Sequence, residues 1–579
     1  MNQLKIELRT FMQYDRLSAF RLKAPNIFDY IAAMIIFGVL SILAWSASAM
    51  ATPYELGEKI LIVIDFQHLI SYALRTFLRM ILAMVLSLIV TLALGSLMAK
   101  NQRCRKILLP IIDICQSLPP LGVLAFIVVS CVKLFPGSVL GLELASIITT
   151  FFSQVWNMIL SFYQSLITIP SELEEATHIY RLTAWQRFWR LEVPRATPGL
   201  IMNIMVSMSA SWFFVVASEA ISIADQKIIL PGIGSVIAQA IVEQNTYAVG
   251  MAFAAMLIII LLYDQLLFRP LLAWSEKFKE EEDDEIYNTS WFFDLLARTH
   301  VISSLSSILT EVFNKLPSYK TYKPSVFKTY HNYFFEVLVL MFEMMFYAFV
   351  LYTCSKGILY FYHSFTLAQI IDALKLGGIS AIKVFAVVII SAVIWVPIGV
   401  LIGSNTKLAI QSQPIIQFLA SCPPQMLYPF ICALIIKYQL NVNIWTAPLM
   451  IFGTQWYILF NVIAGSMMIT KEQRLVAANF GLKGWLLWRR LYLPAVMPYC
   501  ITGCLTAAGG CWNVSMQTDI VEWGPTKLEA VGISSYINQG INSGDFDKII
   551  LGMVIMAFYV VLINRLVWNP LFEKVSAYR

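Results

Sequence analysis

The sequence predicts an all-α polytopic membrane protein in which about twelve transmembrane helices form two tandem six-helix domains. Hydrophobic residues make up 59% of the 579 residues, and charged residues make up only 13%. Soluble domains have about 45–50% apolar residues and about 25% charged ones. So much apolar surface excludes a soluble enzyme, a disordered chain and a nucleic-acid-binding domain. The two tandem domains are predicted by an internal repeat whose copies lie about 300 residues apart.

Twelve mostly apolar runs have the length of about 20 residues that a helix needs to cross a bilayer. Several contain Pro or Gly, which a membrane helix tolerates where neighbouring helices satisfy its backbone. The predicted spans lie near residues 29–50, 77–99, 107–132, 143–168, 196–220 and 247–268 in the first half, and near 334–355, 380–403, 409–436, 442–467, 495–520 and 548–568 in the second.

The distribution of basic residues predicts the orientation. If the N-terminus is cytoplasmic, the inside segments 1–26, 100–106 and 168–195 carry thirteen Lys and Arg residues. The outside segments of the same half carry three, namely Lys59, Lys133 and Lys227. Because Lys and Arg are enriched in cytoplasmic loops, we expect both termini and the central linker to be cytoplasmic.

The two sets of six spans are copies of one unit. The pattern P-I-I-x5-S-x-P-P begins at Pro110 and again at Pro414, an offset of 304 residues. Further on, E-V-P-R-A-T-P matches Y-L-P-A-V-M-P at an offset of 300. Six spans is an even number, so the copies insert with the same orientation, and we expect a pseudo-two-fold axis along the membrane normal.

The repeat divides the chain into four predicted parts. They are a cytoplasmic N-terminal segment at 1–26, a first six-span domain at 27–272, a cytoplasmic linker at 273–330 and a second such domain at 331–579. Apolar residues of the linker recur at 3–4 spacing between Ile302 and Leu316, which predicts an amphipathic helix. That helix either lies on the membrane face or covers the helix bundle, as a packed tether or as a regulatory element.

The connection between spans four and five is the most informative segment of each copy. We predict that it opens with a capping box, formed by Ser171 with Glu174 and by Thr470 with Gln473. A short helix would therefore start just inside the membrane. A second short amphipathic stretch follows and ends at Pro194 or Pro494, where the next span begins.

These loops resemble the E-A-A-x3-G signature of binding-protein-dependent ABC importer permeases. The phrase W-Q-R-F at 185–188 is similar to the nitrate, sulfonate, taurine and bicarbonate branch of that family. The resemblance implies the type I importer permease fold and a coupling helix in each loop, which docks in a groove of the ATP-binding subunit. The matched positions are Glu175, Ala176 and Thr177 with Arg181 in the glycine place, and Leu475, Val476 and Ala477, followed by Ala478, with Gly481 at the glycine.

The resemblance also implies the partners: two copies of an ATP-binding subunit, a periplasmic or lipid-anchored substrate-binding protein, and membrane lipid, but no nucleic acid. It places the chain in the bacterial inner membrane as the pathway for a small, anionic solute. The sequence contains no G-x-x-x-x-G-K-S/T motif, so we expect ATP hydrolysis in the partner. We expect no catalytic residues, no metal site and no cofactor in this chain.

The third span of each half supplies candidates for the translocation pathway. Two Pro-Pro pairs interrupt these spans, and broken helices at membrane depth tend to line a cavity; a packing kink remote from the solute is the alternative. A serine at the same repeat position would add a hydroxyl. These candidates are Ser117, Pro119, Pro120, Ser421, Pro423 and Pro424.

Charged residues at repeat-related positions are further pathway candidates. Arg79 and Lys383 coincide at the offset of 304 residues, near the outer end of the second span. Paired cations there would favour an anion, whereas snorkelling to lipid headgroups explains them as well. Glu219 and Glu522 close the fifth spans, where we expect them to act as hydrogen-bond partners beside a gate.

Two other classes of protein compete with this interpretation. A secondary transporter of the major facilitator type also has six plus six spans in parallel repeats. Its characteristic motif between spans two and three does not match M-A-K-N-Q-R-C-R-K at 98–106. A membrane-embedded enzyme would need a cluster of catalytic residues, which the sequence lacks.

Overall fold

The computed structural model describes residues 26–48, 50, 62–117, 119–180, 182–223, 226–278, 290–300, 327–421, 425, 427–523 and 526–576. The chain divides into two compact units. Unit 1 contains Met1–Ala33, Thr168–Ala196 and Asp294–Asp372, and unit 2 contains Met34–Ile167, Thr197–Phe293 and Ala373–Arg579.

The described residues of the first half are helical apart from one short hairpin. Its helices and strands are α1 (Ile27–Ser48), α2 (Phe66–Lys100), α3 (Gln102–Ser117), α4 (Pro120–Leu134), α5 (Leu140–Ile167), α6 (Ser171–Ile179), α7 (Ala184–Arg187), α8 (Val193–Glu219), β1 (Ala220–Ile223), β2 (Gln226–Ile229), α9 (Ile233–Val242), α10 (Thr246–Tyr263), α11 (Arg269–Ser275) and α12 (Trp291–Ala297).

The second half repeats this order. Its elements are α13 (Phe327–Ser364), α14 (Leu367–Gly403), α15 (Thr406–Ser421), α16 (Tyr428–Lys437), α17 (Val442–Trp445), α18 (Leu449–Met467), α19 (Lys471–Asn479), α20 (Gly484–Leu487), α21 (Leu493–Thr518), β3 (Ile520–Trp523), β4 (Thr526–Glu529), α22 (Ile533–Ser543), α23 (Phe546–Ile563) and α24 (Asn569–Ser576).

The duplication predicted from the sequence is visible in the element bounds. Helix α8 and α21, the hairpins β1–β2 and β3–β4, and the helices that follow them begin 300 residues apart. Equivalent side chains also cap the last long helix of each half. Asn245 accepts from the Ala248 N–H at 3.1 Å, and Asp545 accepts from the Lys548 N–H at 3.1 Å, as N-cap residues do.

Among the described residues, eight helical stretches are long and apolar enough to cross a membrane. The predicted number of twelve spans is therefore not confirmed. The eight are Phe66–Lys100, Leu140–Ile167, Ala184–Glu219, Thr246–Ser275, Leu367–Gly403, Val442–Met467, Gly484–Thr518 and Phe546–Trp568.

The third predicted span of each half consists of two helices. In the first half, α3 ends at Ser117 and α4 begins at Pro120, so the run 107–132 is not one continuous helix. Pro119 is the N-cap of α4 with φ −69°, and neither proline can donate the backbone hydrogen bond that would continue α3. The predicted break is confirmed here. In the second half α15 and α16 are likewise separate, but Pro423 and Pro424 lie outside the described residues.

Within unit 2, the helices of the two halves pack against each other. The rings of Phe126 on α4 and Phe546 on α23 lie 5.5 Å apart between centroids. Gln425, just after the second Pro-Pro pair, donates to the backbone carbonyl of Phe213 on α8 at 2.8 Å. Strand β1 contacts α22, and strand β3 contacts α9. The hairpin of each half therefore packs on the short helix of the other half.

Unit 1 ties the start of α1 to the residues after α12. The Asn26 amide donates to the Arg298 carbonyl at 2.8 Å, and the Asp29 carboxylate accepts from the His300 N–H at 3.2 Å. The amphipathic helix predicted between Ile302 and Leu316 lies outside the described residues.

Candidate functional site

The first loop between spans four and five, in unit 1, starts its helix one residue earlier than predicted. Pro170 is the N-cap of α6 and offers no side-chain hydrogen bond, so the predicted capping box of Ser171 with Glu174 is wrong. A reciprocal capping box is instead present at the next helix: Thr183 accepts from the Gln186 N–H at 3.2 Å, and the Gln186 side chain accepts from the Thr183 N–H at 3.1 Å. The T-x-x-Q spacing could have revealed it.

Some side chains of α6 are exposed to solvent, and others are buried against the protein. Glu174 and Glu175 are exposed and Ala176 is half-buried, whereas Thr177 is only 6% exposed. Arg187 pairs with Glu192 at 2.9 Å and approaches Glu174 at 3.8 Å. Arg181 lies outside the described residues, and Pro194 sits half-buried in the first turn of α8.

The second loop, in unit 2, shows the predicted capping box. Thr470 accepts from the Gln473 N–H at 3.2 Å, and the Gln473 side chain accepts from the Thr470 N–H at 3.2 Å. Ala477, the repeat counterpart of Thr177, is 4% exposed, while its neighbour Ala478 is exposed. Gly481 has φ +65°, a conformation that Gly adopts without the steric cost other residues meet.

Apolar side chains stand exposed on both short helices and just after them. In the first loop Ile179 and Tyr180 are each 78% exposed; in the second, Phe480 is 78% exposed. Leu475 and Trp485 are exposed as well. Exposed apolar patches with charged neighbours are typical of protein–protein contact sites. Both loops therefore have the chemistry of a docking surface.

Arg474 ties the second loop to the helices of unit 2. Its guanidinium donates to the Ser404 carbonyl, at the end of α14, at 2.6 Å. It also donates to the Ser466 carbonyl on α18 at 3.5 Å. Arg474 thus joins α19 to the ends of two long helices, α14 and α18.

A fully buried ion-pair network lies at the opposite end of α8 from its loop. Arg79 on α2 is 0% exposed. Its guanidinium contacts both carboxylate oxygens of Glu143, at 2.5 and 2.7 Å, and one oxygen of Glu219 at 2.5 Å. It also donates to the Pro231 carbonyl at 2.9 Å. We call this network, with Thr76, the first clasp.

The first clasp also fixes the start of α9. Glu219 accepts from the Gly234 N–H at 2.7 Å, and the Thr76 hydroxyl accepts from the Ile233 N–H at 3.0 Å. These N–H groups have no partner within their own helix. A Cβ at Gly232, the N-cap residue, would fall on the Glu219 carboxylate and force it to shift from these hydrogen bonds. The carboxylate thus links α2, α8 and α9.

The second half contains a simpler version at equivalent positions. Lys383 on α14 donates to Asp519, the C-cap residue of α21, at 3.0 Å. The Ser380 hydroxyl accepts from the Ile533 N–H at 3.0 Å, as Thr76 does in the first half. Asn443 replaces Glu143 at the 300-residue offset, and its oxygen accepts from the Val531 N–H at 2.7 Å. We call these four residues the second clasp.

The two clasps correct several predictions about charged residues. Arg79 and Lys383 are buried and paired with carboxylates, so they neither snorkel to lipid nor present a free charge to an anion. The acid equivalent to Glu219 is Asp519 rather than Glu522, which lies in β3 with its side chain outside the described part. Sequence reasoning missed Glu143 and Asp519. The 300-residue offset from Glu219 could have revealed Asp519.

The remaining pathway candidates stay predictions. Pro119 and Pro120 are buried at the break between α3 and α4. Ser117 and Ser421 end their helices, but their side chains are outside the described residues. No group of three or more His, Cys, Asp or Glu residues that could hold a metal ion is found in the part of the chain that the structure describes.

Two segments of the chain, 91–267 and 395–567, match the family described as binding-protein-dependent transport system inner membrane component. Together they cover more than half of the 579 residues. The chain therefore belongs to this family, with its domain present twice, and the predicted resemblance to ABC importer permeases is confirmed. It is a multi-pass inner-membrane permease component and not an enzyme.

Individual curated relatives show which members of the family this chain resembles. The bicarbonate transport system permease protein CmpB of Synechococcus elongatus is 28% identical over 179 residues, which is 31% of this chain and 61% of CmpB. The nitrate import permease protein NrtB of Leptolyngbya laminosa is 28% identical over 180 residues, again 31% of this chain and 61% of the relative. The match thus spans about three fifths of each relative, and this chain is about twice as long as either.

Proposed function

We propose that the chain is the transmembrane subunit of an ABC importer and forms by itself the translocation pathway for a small anionic solute. The observation that carries the proposal is the repeated coupling loop. Each family match contains one such loop, and each loop exposes apolar side chains next to charged ones. One chain therefore offers the two docking surfaces that a pair of ATP-binding subunits requires.

The proposal includes the orientation and the partners. Both termini and both loops face the cytoplasm, following the thirteen-to-three distribution of basic residues in the first half. Two copies of an ATP-binding subunit dock there. A periplasmic or lipid-anchored binding protein delivers the solute on the other side. The domain boundaries at 27–272 and 331–579 remain part of the proposal; the matched segments lie inside them.

The proposed solute class comes from the relatives, whose names give bicarbonate and nitrate. Both are small oxyanions with one negative charge. The buried cations Arg79 and Lys383 do not support this choice, because their charges are balanced by carboxylates. Selectivity would then depend on neutral hydrogen-bond donors along the pathway and on the binding protein.

Uptake by proteoliposomes tests the proposal. The chain would be reconstituted with its co-purified ATP-binding subunits and binding protein, and labelled bicarbonate and nitrate would be supplied on the binding-protein side. We expect uptake of one of them that requires ATP inside the vesicles. The control is a complex whose ATP-binding subunit carries an inactivated P-loop lysine. Uptake by the chain alone, driven by an ion gradient, would contradict the proposal and support a secondary transporter.

A further inference from the structure

The two clasps hold equivalent helices with unequal strength. In the first clasp one guanidinium makes four hydrogen bonds, three to the carboxylates of Glu143 and Glu219 and one to a backbone carbonyl. In the second clasp, the hydrogen bond from the ammonium within the described part of the chain goes to Oδ1 of Asp519. In the described part of the chain, Oδ2 of Asp519 is buried and has no hydrogen-bond partner.

The chemistry of the two cations explains this difference. A guanidinium is planar and presents a fork of donors that fits two carboxylate oxygens at once, whereas an ammonium acts as a point charge. Asn443, at the repeat position of Glu143, is neutral and exposed, and its side chain bonds the Val531 N–H and not Lys383. The second clasp therefore loses far less electrostatic interaction when it opens.

The second clasp is also connected to the second loop through rigid elements of unit 2. Helix α21 starts beside the loop, at Leu493, and ends one residue before Asp519; its 26 residues span about 39 Å. Helix α14 carries Lys383 and ends next to Ser404, which accepts a hydrogen bond from Arg474 of the loop. The loop is thus linked to both partners of the clasp.

We propose that the Lys383–Asp519 pair opens and closes in each transport cycle, while the first clasp stays closed and anchors its half. Movement of the second loop displaces α21 along its length and draws the Asp519 carboxylate away from the Lys383 ammonium. The start of α22, held by Ser380, is released with it, and so is its contact with strand β1 of the other half. Lys383 and Asp519 are positioning residues in this scheme. The proposal depends on the proposed coupling of the loops to ATP-binding subunits.

Exchanging the chemistry of the two clasps tests this asymmetry. Lys383→Arg with Asn443→Glu and Asp519→Glu gives the second clasp the charged residues of the first. We expect the assembled complex to unfold at the same temperature as the wild type or higher. Its solute-stimulated ATPase rate and uptake should fall about tenfold, which corresponds to about 1.4 kcal/mol of extra stabilisation of the closed pair. If the pair had only a structural role, the variant would unfold at a higher temperature without any loss of ATPase rate or uptake.

The matched control is the reverse exchange, Arg79→Lys with Glu143→Asn and Glu219→Asp. It should lower the unfolding temperature but leave the stimulated rate near the wild-type value below that temperature. If the triple exchange in the second clasp does not assemble, Lys383→Arg alone decides, because it adds donors for the second Asp519 oxygen and should slow the cycle to a smaller degree.

Distance measurements give a second readout. Spin labels at exposed positions 379 and 531, beside the second clasp, should show a second distance population when the complex is trapped with ATP. Labels at exposed positions 70 and 242, on the helices α2 and α9 that the first clasp joins, should show one population in both states. Wild-type rates in the assembled exchange variant, equal slowing by both exchanges, or unchanged distances at 379 and 531 would each overturn the inference. Absence of ATP-dependent uptake by the wild-type complex would instead contradict the proposed function.

Discussion

The two loops between spans four and five have the same order of short helices but are stabilised at opposite ends. In the first loop Pro170, the N-cap residue of α6, makes no side-chain capping bond, whereas the short α7 has the capping box of Thr183. In the second loop α19 has the capping box of Thr470, whereas Lys483, the N-cap residue of α20, makes no side-chain capping bond. Each loop thus has one helix with a capping box: the second short helix in the first loop and the first short helix in the second loop.

The charges of the loops differ as well. Residues 171–195 contain four acidic and four basic side chains, a net charge of zero, whereas residues 471–495 contain one acidic and five basic side chains, a net charge of +4. Arg474, which ties the second loop to α14 and α18, has Glu174 as its repeat counterpart. The repeat therefore retains the positions of helices and turns, while the interactions that stabilise them differ between the two copies.

The largest expected difference between the two copies is in the clasps. Arg79→Met would leave Glu143 and Glu219 buried without a cation, which should lower the free energy of unfolding by about 3–5 kcal/mol. Lys383→Met leaves only Asp519 buried without a cation and should lower the free energy of unfolding by a smaller amount. Thermal unfolding of the purified protein in detergent measures both. Equal losses would contradict the unequal strength of the two clasps.

The hydroxyls of the clasps should, by contrast, behave alike in the two copies. Thr76→Val and Ser380→Ala each leave a backbone N–H at the start of a short helix buried and unpaired. We expect each to lower the free energy of unfolding by about 1–3 kcal/mol. The control is Thr91→Val on α2, since the buried Thr91 hydroxyl has no partner in the described part of the chain. A control as damaging as Thr76→Val would refute the role of the hydrogen bond.

The turn at Gly481 sharpens the comparison of the loops. Gly481→Arg forces a side chain into a left-handed conformation at a cost of about 1 kcal/mol or more, although the site itself has open space. We expect reduced solute-stimulated ATPase activity in the reconstituted complex. Arg181→Gly, at the equivalent place in the first loop, should be tolerated. Equal tolerance of both changes would show that this turn does not distinguish the loops.

The smallest effect is expected at the helix caps. Thr470→Ala removes the capping box of α19 and should destabilise that helix by about 1 kcal/mol. Ser171→Ala should have almost no effect, because Pro170 and not Ser171 is the N-cap of α6. Amide hydrogen exchange across 471–479 and 171–179 measures the two changes separately. Faster exchange after Ser171→Ala would mean that this serine caps the helix after all.

Much of the architecture could be predicted from the sequence because it depends on composition and local pattern. The apolar fraction required a membrane, and two matching loops 300 residues apart required a duplicated domain. Pro119 and Pro120 predicted the break between α3 and α4, since a missing N–H acts within its own turn. Gly481 also acts locally, since its φ of +65° is a conformation that Gly adopts without the steric cost other residues meet.

The tertiary structure alone decided which charged residues are free. From the sequence, Arg79 was a cation either at a pathway mouth or snorkelling to lipid headgroups, but it pairs with Glu143 and Glu219, which lie 64 and 140 residues away. Likewise Lys383 pairs with Asp519 at a separation of 136 residues. No local pattern encodes such partners, because the cost of burying a charge is balanced only by groups that the packing of distant helices brings within hydrogen-bond reach. The sequence therefore determined where the helices and the coupling loops lie, and the packing determined that these cations act inside the protein.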